Sequence, residues 1–329
     1  MSRRSRRLCI LAALFVVSVM GALFGLSQGS LKLSPGQLIH VLMSDTTGPA
    51  YQIIHNIRLP RTLVAGLVGM SLSLSGCILQ GIMRNPLASP HLIGISAGAG
   101  LSGIVILILF PTAYHLLPPV AFCGALLTTV LIYGLAWQQG LKPARLILAG
   151  VAVSSFLGAW ITALMIFFPE RVHSVLGFMV GGLSARSWKH FYIILPYALV
   201  GLALAGVLAR RMNILLLGDD TAKSLGLHVE KNRLIFIAIA ALLAASAVSV
   251  AGLLGFVGLI VPHMTRFMIG SDYRYLLPAS ALSGAALIMI CDTLARVVLD
   301  PVEIPVGVIM ALLGAPFFLY LLRSNLNKG

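Results

Sequence analysis

The 329-residue chain is 59% hydrophobic and only 10% charged, with a mean hydropathy of +1.00, whereas about a quarter of the residues in soluble domains are charged. That composition excludes a water-soluble globule, because so much apolar surface can be hidden only against lipid. The formal net charge of +14 does not point to nucleic acid, since the basic residues stand singly or in short clusters between apolar runs and form no continuous stripe. The apolar runs show no apolar/polar alternation, which argues against a β-barrel. The expectation is an all-α polytopic membrane protein, one transmembrane domain over residues 1–329.

Taken in chain order, Arg3, Arg4, Arg6 and Arg7 precede an apolar run over residues 8–26. That run is longer than a signal-peptide core, and no Ala-x-Ala follows it, so it reads as a retained first helix with a cytoplasmic amino end. Breaking the sequence at polar and Pro/Gly-rich points gives ten spans, near 8–28, 60–81, 92–110, 118–137, 144–168, 191–209, 234–252, 256–269, 277–297 and 305–323. The eighth is too short for a straight crossing, and Pro262 is expected to bend or break it; the irregular stretch 252–258 before it is expected to share the crossing. With ten spans and both termini inside, 16 of the 23 Lys and Arg residues fall on the cytoplasmic side, as the positive-inside rule requires.

Enzymatic motifs are absent or misplaced. Gly98, Gly100 and Gly103 match GxGxxG but lie in a membrane helix with no preceding strand. Gly218 to Ser224 lacks the glycine before Lys223 that a phosphate-binding loop needs, so this chain has no P-loop ATPase chemistry of its own. No HExxH occurs, and Asp292 is the one acid well inside a span, which disfavours an intramembrane enzyme or a proton-coupled carrier. The cysteines (Cys9, Cys77, Cys123, Cys291) have no metal spacing and read as membrane-core thiols, and the outer histidines 40, 55, 115, 173 and 190 lack ligand spacing. No cofactor and no metal is expected. Gly21/Gly25, Gly94/Gly98 and Gly177/Gly181 have the spacing of close helix packing. His263, following Pro262, is read as a packing residue, and Gln80, Asn85 and Ser89 as turn or cap residues.

The longest polar interruption, residues 210–233, faces the cytoplasm. Asp219, Asp220 and Thr221 offer N-cap chemistry for a short helix ended by Gly226, and a second helix is expected from Val229. Such a turn is either a docking element or an ordinary connection, and physics alone leaves both open. Leu217, Gly218, Asp219, Asp220, Thr221, Ala222, Lys223, Ser224, Leu225 and Gly226 resemble the cytoplasmic coupling loop of the FecCD family, permeases for iron chelates, haem and cobalamin. Arg58-Leu-Pro-Arg61 running on to Ser75–Gly81 and Arg84–Pro90, then Gly255–His263, then Asp292–Arg296 with Glu303–Gly307 and Gly314–Phe317, are similar to the same family in order and spacing.

That resemblance implies a ten-helix permease of the type II ABC importer fold in the bacterial cytoplasmic (inner) membrane. The implied partners are a second permease, with a homodimer expected, two cytoplasmic ABC ATPases on the coupling loops, an extracytoplasmic binding protein and membrane lipid; nucleic acid is not among them. The implied cargo is an iron chelate, siderophore or haem, with cobalamin the alternative. Arg58, Arg61 and Arg296 would dock glutamates of the binding protein, against a lipid-anchoring alternative and, for Arg296, simple neutralisation by Asp292 one turn earlier. Met165, Phe168, Phe178 and Met179 would line the translocation path.

Overall fold

The computed structural model describes residues 3–29, 34, 36–38, 41, 48–137 and 143–326, and every regular element among them is helical. The long elements are α1 (Arg3–Ser27), α2 (Pro49–Ile82), α3 (Ile95–Leu109), α4 (Leu117–Ala136), α5 (Pro143–Phe167), α7 (Trp188–Leu215), α9 (Val229–Ala251), α10 (Val257–Ile269), α11 (Tyr273–Val297) and α12 (Val306–Leu326). Two short helices, α6 (Val172–Val180) and α8 (Asp219–Ser224), lie between them. Seven of the long elements fall in helices long and apolar enough to cross a membrane, and α3, α10 and α12 supply shorter apolar helices. Each coincides with one of the ten apolar runs. The largest extension is in α2, which begins at Pro49 and passes through a π-helical turn at Ile54–Arg58. The short α6 escaped the span count because nine residues do not register as a crossing.

Helices α2, α9 and α11 form the buried centre, while α1, α5 and α7 expose most of their apolar surface, as helices facing lipid or another membrane subunit do. The contact of α2 with α11 and α10 depends on small residues. A Cβ on Gly69 would overlap the carbonyl oxygen of Gly284, and one on Gly76 would overlap that of Gly258. Between them Ser73 Oγ donates to Ser280 O at 2.8 Å. Backbones this close gain van der Waals contact where lipid offers no hydrophobic drive to association.

α10 departs from expectation in an instructive way. It runs unbroken from Val257 to Ile269 through Pro262. Proline removes the N–H that would bond the carbonyl four residues back, here that of Gly258. Gln80 Nε2 of α2 donates to this oxygen at 3.2 Å and to Leu259 O at 3.3 Å, so a side chain replaces the missing backbone donor. Gln80 is therefore a helix-repair residue on a neighbouring element, and its own Oε1 accepts from Arg266 at 3.2 Å.

The irregular 252–256 stretch is held inside protein as membrane depth demands. Leu253 N donates to Phe178 O, Gly182 N to Ala251 O and Gly307 N to Gly181 O, each within 3.0 Å. Phe256 caps α10 in the left-handed region, at φ 64°.

Candidate functional site

At the end carrying the amino terminus, the 217–226 segment is anchored by one carboxylate. Arg84 Nη2 donates to Asp219 Oδ1 at 2.6 Å and to Leu215 O at 2.9 Å, and Arg233 Nη2 donates to both Asp219 oxygens at 3.0 and 3.1 Å. Burial opposes ionisation of Asp219, but Arg233 and Arg84 outweigh it and hold its pKa below the ordinary value. The sequence reading gave Asp219 N-cap chemistry. Instead, Gly218 occupies the N-cap with no side-chain cap bond, and Asp219 ties the start of α8 to α9 and to the turn after α2. Ala222 is buried, while Leu217 and Leu225 are each 60% exposed and a groove of about 650 Å³ runs past Lys223, Leu227 and Glu230. Nearby, Asp272 accepts from Arg7 of α1, Asn213 of α7 and Arg274, fixing three helices at the same end.

At the opposite end a buried cluster gathers the three arginines singled out in the sequence. Arg61 is clamped from both sides: its Nε and Nη2 donate to the two oxygens of Asp292 at 2.9 and 3.0 Å, and Nη1 donates to Glu303 Oε2 at 2.9 Å. Arg296 Nη2 reaches Gly25 O at 3.1 Å, with Nε 3.6 Å from Asp292, and Arg58 Nη1 reaches Leu26 O at 2.8 Å. Arg58 and Arg296 thus satisfy carbonyls that the last turn of α1 leaves without partners. All three are at least nine-tenths buried in this chain, at 3%, 6% and 9% exposure. Glu303 is the exposed member, and Ser184 Oγ donates to the same Oε2 at 3.1 Å, linking the cluster to the turn after α6. Burial opposes its ionisation, yet Arg61 and then Ser184 lower its pKa. Glu303 and Ser184 carried no assigned role in the sequence, because what selects them is contact with residues far away in the chain.

Of the four path candidates, Phe178 is buried, its ring fills the space above Gly103 and its carbonyl accepts from Leu253. Met165, Phe168 and Met179 are half-buried against the core. His263 sits edge-on to Phe267 and Phe317, at centroid distances of 4.7 and 6.1 Å. Among the described residues, no group of His, Cys, Asp and Glu could hold a metal; His40 lies outside them.

Among the described residues, ten long apolar helices, an irregular stretch held inside the bundle and a buttressed helical turn at one end define a polytopic membrane protein of the permease type. The chain belongs to the FecCD transport family, whose model matches residues 12–324. Among its relatives, the Fe(3+)-citrate import system permease protein YfmE of Bacillus subtilis is 37% identical over 99% of this chain and 98% of its own length. The hemin transport system permease protein HmuU of Yersinia pestis is 39% identical over 98% and 97%. The cobalamin import system permease protein BtuC of Halobacterium salinarum is 42% identical over 84% and 74%. A solved chain assigned as a metal-chelate type ABC transporter, in an inward-facing conformation, superposes with a TM-score of 0.86 at 30% identity, covering 96% of this chain and 99% of that one.

Proposed function

We propose that this chain is the membrane-spanning subunit of an ATP-driven importer for an iron chelate, placed in the bacterial inner membrane. Two copies form the path, two cytoplasmic ATPases dock on Leu217–Gly226, and an extracytoplasmic binding protein delivers the cargo. The observation that carries this reading is the anchored segment. Asp219 ties α8 to two arginines while Leu217 and Leu225 present apolar side chains outward, which suits transmission of motion from a docked partner into α2 and α9. The related permeases named for ferric citrate and hemin favour iron over cobalamin.

The binding protein would seat on the face containing Arg58, Arg61 and Arg296. Because Arg61 is already held by Asp292 and Glu303, a docking carboxylate reaches it by replacing Glu303, the exposed partner, while Asp292 stays. Met165, Phe168, Phe178 and Met179 would flank the path at this end.

The test is a pull-down of tagged full-length protein, solubilised from its native membrane. An ABC ATPase is expected to come with it and to be lost when 219–226 is replaced by a Gly/Ser linker. Recovery of the chain alone, under conditions that preserve other transporter complexes, would refute the subunit reading.

A further inference from the structure

Two cavities, of about 230 and 210 Å³, open on either side of Arg186, in the turn between α6 and α7. Both are also bordered by Tyr114. The larger adds Lys189 and His115, and the smaller adds the hydroxyls of Ser174 and Ser184 and the edge of Phe178. Among the described residues no carboxylate lines either one, although the Ser184 hydroxyl already donates to Glu303. Glu170 and Glu303, at the same end, pair with Arg171 and Arg61. The Nε of Arg186 is buried from solvent and has no hydrogen-bond partner.

A guanidinium N–H that is desolvated and unbonded costs free energy, and a second cation bordering the same cavity adds repulsion. An oxyanion in the cavity would offset that repulsion and offer the guanidinium an acceptor. The planar fork of arginine matches a carboxylate or phosphate in two-point geometry, which an ammonium does not. The cavity volumes suit one such group or a small polycarboxylate, and are too small for a tetrapyrrole.

We propose that the cavities around Arg186 form a subsite for an anionic oxygen group of the cargo, a carboxylate carried by the metal chelate. This rests on the permease reading above and narrows it: an anionic polycarboxylate chelate gains from Arg186, whereas a neutral chelate does not. Phe178, the buried path candidate, forms one wall, so a bound carboxylate lies against the predicted path. A lipid phosphate shares the chemistry, and the test separates the two sources.

Full-length protein in nanodiscs of phosphatidylcholine alone is titrated with radiolabelled citrate. Binding is expected to saturate, to weaken at least tenfold in Arg186→Gln, and to weaken less in Arg186→Lys, with neither variant unfolding below the wild-type temperature. A neutral ferric trihydroxamate is expected not to compete. Repeating the titration in discs containing phosphatidylglycerol should leave citrate affinity unchanged; displacement of citrate by that lipid would assign the subsite to a headgroup and overturn the proposal. Absence of saturable binding to folded wild-type protein, or wild-type affinity in Arg186→Gln, would overturn it equally. If the ATPase still co-purifies in that case, only the subsite fails; if the ATPase is absent, the transporter reading fails whatever citrate does.

Discussion

Replacing Asp292 by Asn should be among the most damaging isosteric changes in this protein. The substitution keeps shape and volume but removes the charge that holds Arg61 at two points, 2.9 and 3.0 Å, and that lies 3.6 Å from Arg296. The side chains of Asp292, Arg61 and Arg296 are only 3%, 7% and 7% exposed, so water cannot replace the lost partner. Two hydrogen bonds to charged groups at about 1.5–3 kcal/mol each bound the loss from above, and breaking a buried ion pair by removing one partner typically costs about 3–5 kcal/mol. Glu303 still holds Arg61 Nη1, which places the expectation near the lower figure, at about 3 kcal/mol. Unfolding in mixed micelles can be followed by thiol labelling of Cys77 and Cys291, both free and buried. The double variant Arg61→Leu/Asp292→Leu should be less destabilised than the sum of its single changes, since neither member of the pair is left facing an apolar replacement of the other, although Arg296 and Glu303 each lose a partner. A loss under about 0.5 kcal/mol in Asp292→Asn, or strict additivity in the double variant, would refute the argument that the cluster is desolvated and coupled.

Gly69→Ala places a methyl group on the Gly284 carbonyl and should cost about 1–3 kcal/mol by forcing α2 from α11, read in the same unfolding assay. Gln80→Leu leaves the Gly258 oxygen without its donor and should cost about 1–3 kcal/mol; faster amide hydrogen exchange confined to α10 would identify the cause, and unchanged exchange would deny it. For Asp219, whose pKa is held below its ordinary value of 3.8 despite burial, by Arg233 and then Arg84, the contribution is present above that ordinary value and lost as pH falls through the lowered one. Recovery of the ATPase should therefore be flat from pH 8 to about 5, whereas Asp219→Asn should weaken it at every pH. A wild-type titration centred near neutrality would contradict that assignment.

The existence and order of the long helices were legible because the membrane imposes a one-dimensional rule. About 20 apolar residues are needed per crossing, so ten apolar runs follow from local composition, and the distribution of basic residues gives their expected orientation. The 210–233 interruption was readable in part: α9 starts at Val229 as expected and a short helix precedes Gly226, but that helix begins at Asp219 behind a Gly218 N-cap, and residues 210–215 continue α7. The glycine spacings were partly informative. Gly94 and Gly98 do pack closely against α4 and Gly177 faces open space, while the close approaches of Gly69 to Gly284 and of Gly76 to Gly258 join residues about 200 positions apart.

The sequence by itself determined the class of protein, the ten long apolar helices and the place of the polar turn between α7 and α9, since each depends on a run of neighbouring residues or on a motif. Only the tertiary structure decided which arginine meets which carboxylate, that Gln80 supplies the donor Pro262 lacks, and that Arg186 faces cavities with no counter-charge. The physical reason is that these are pairings in a solvent of low dielectric. There an unpartnered polar group is costly, and the identity of its partner is set by helix packing across the whole chain rather than by spacing along it.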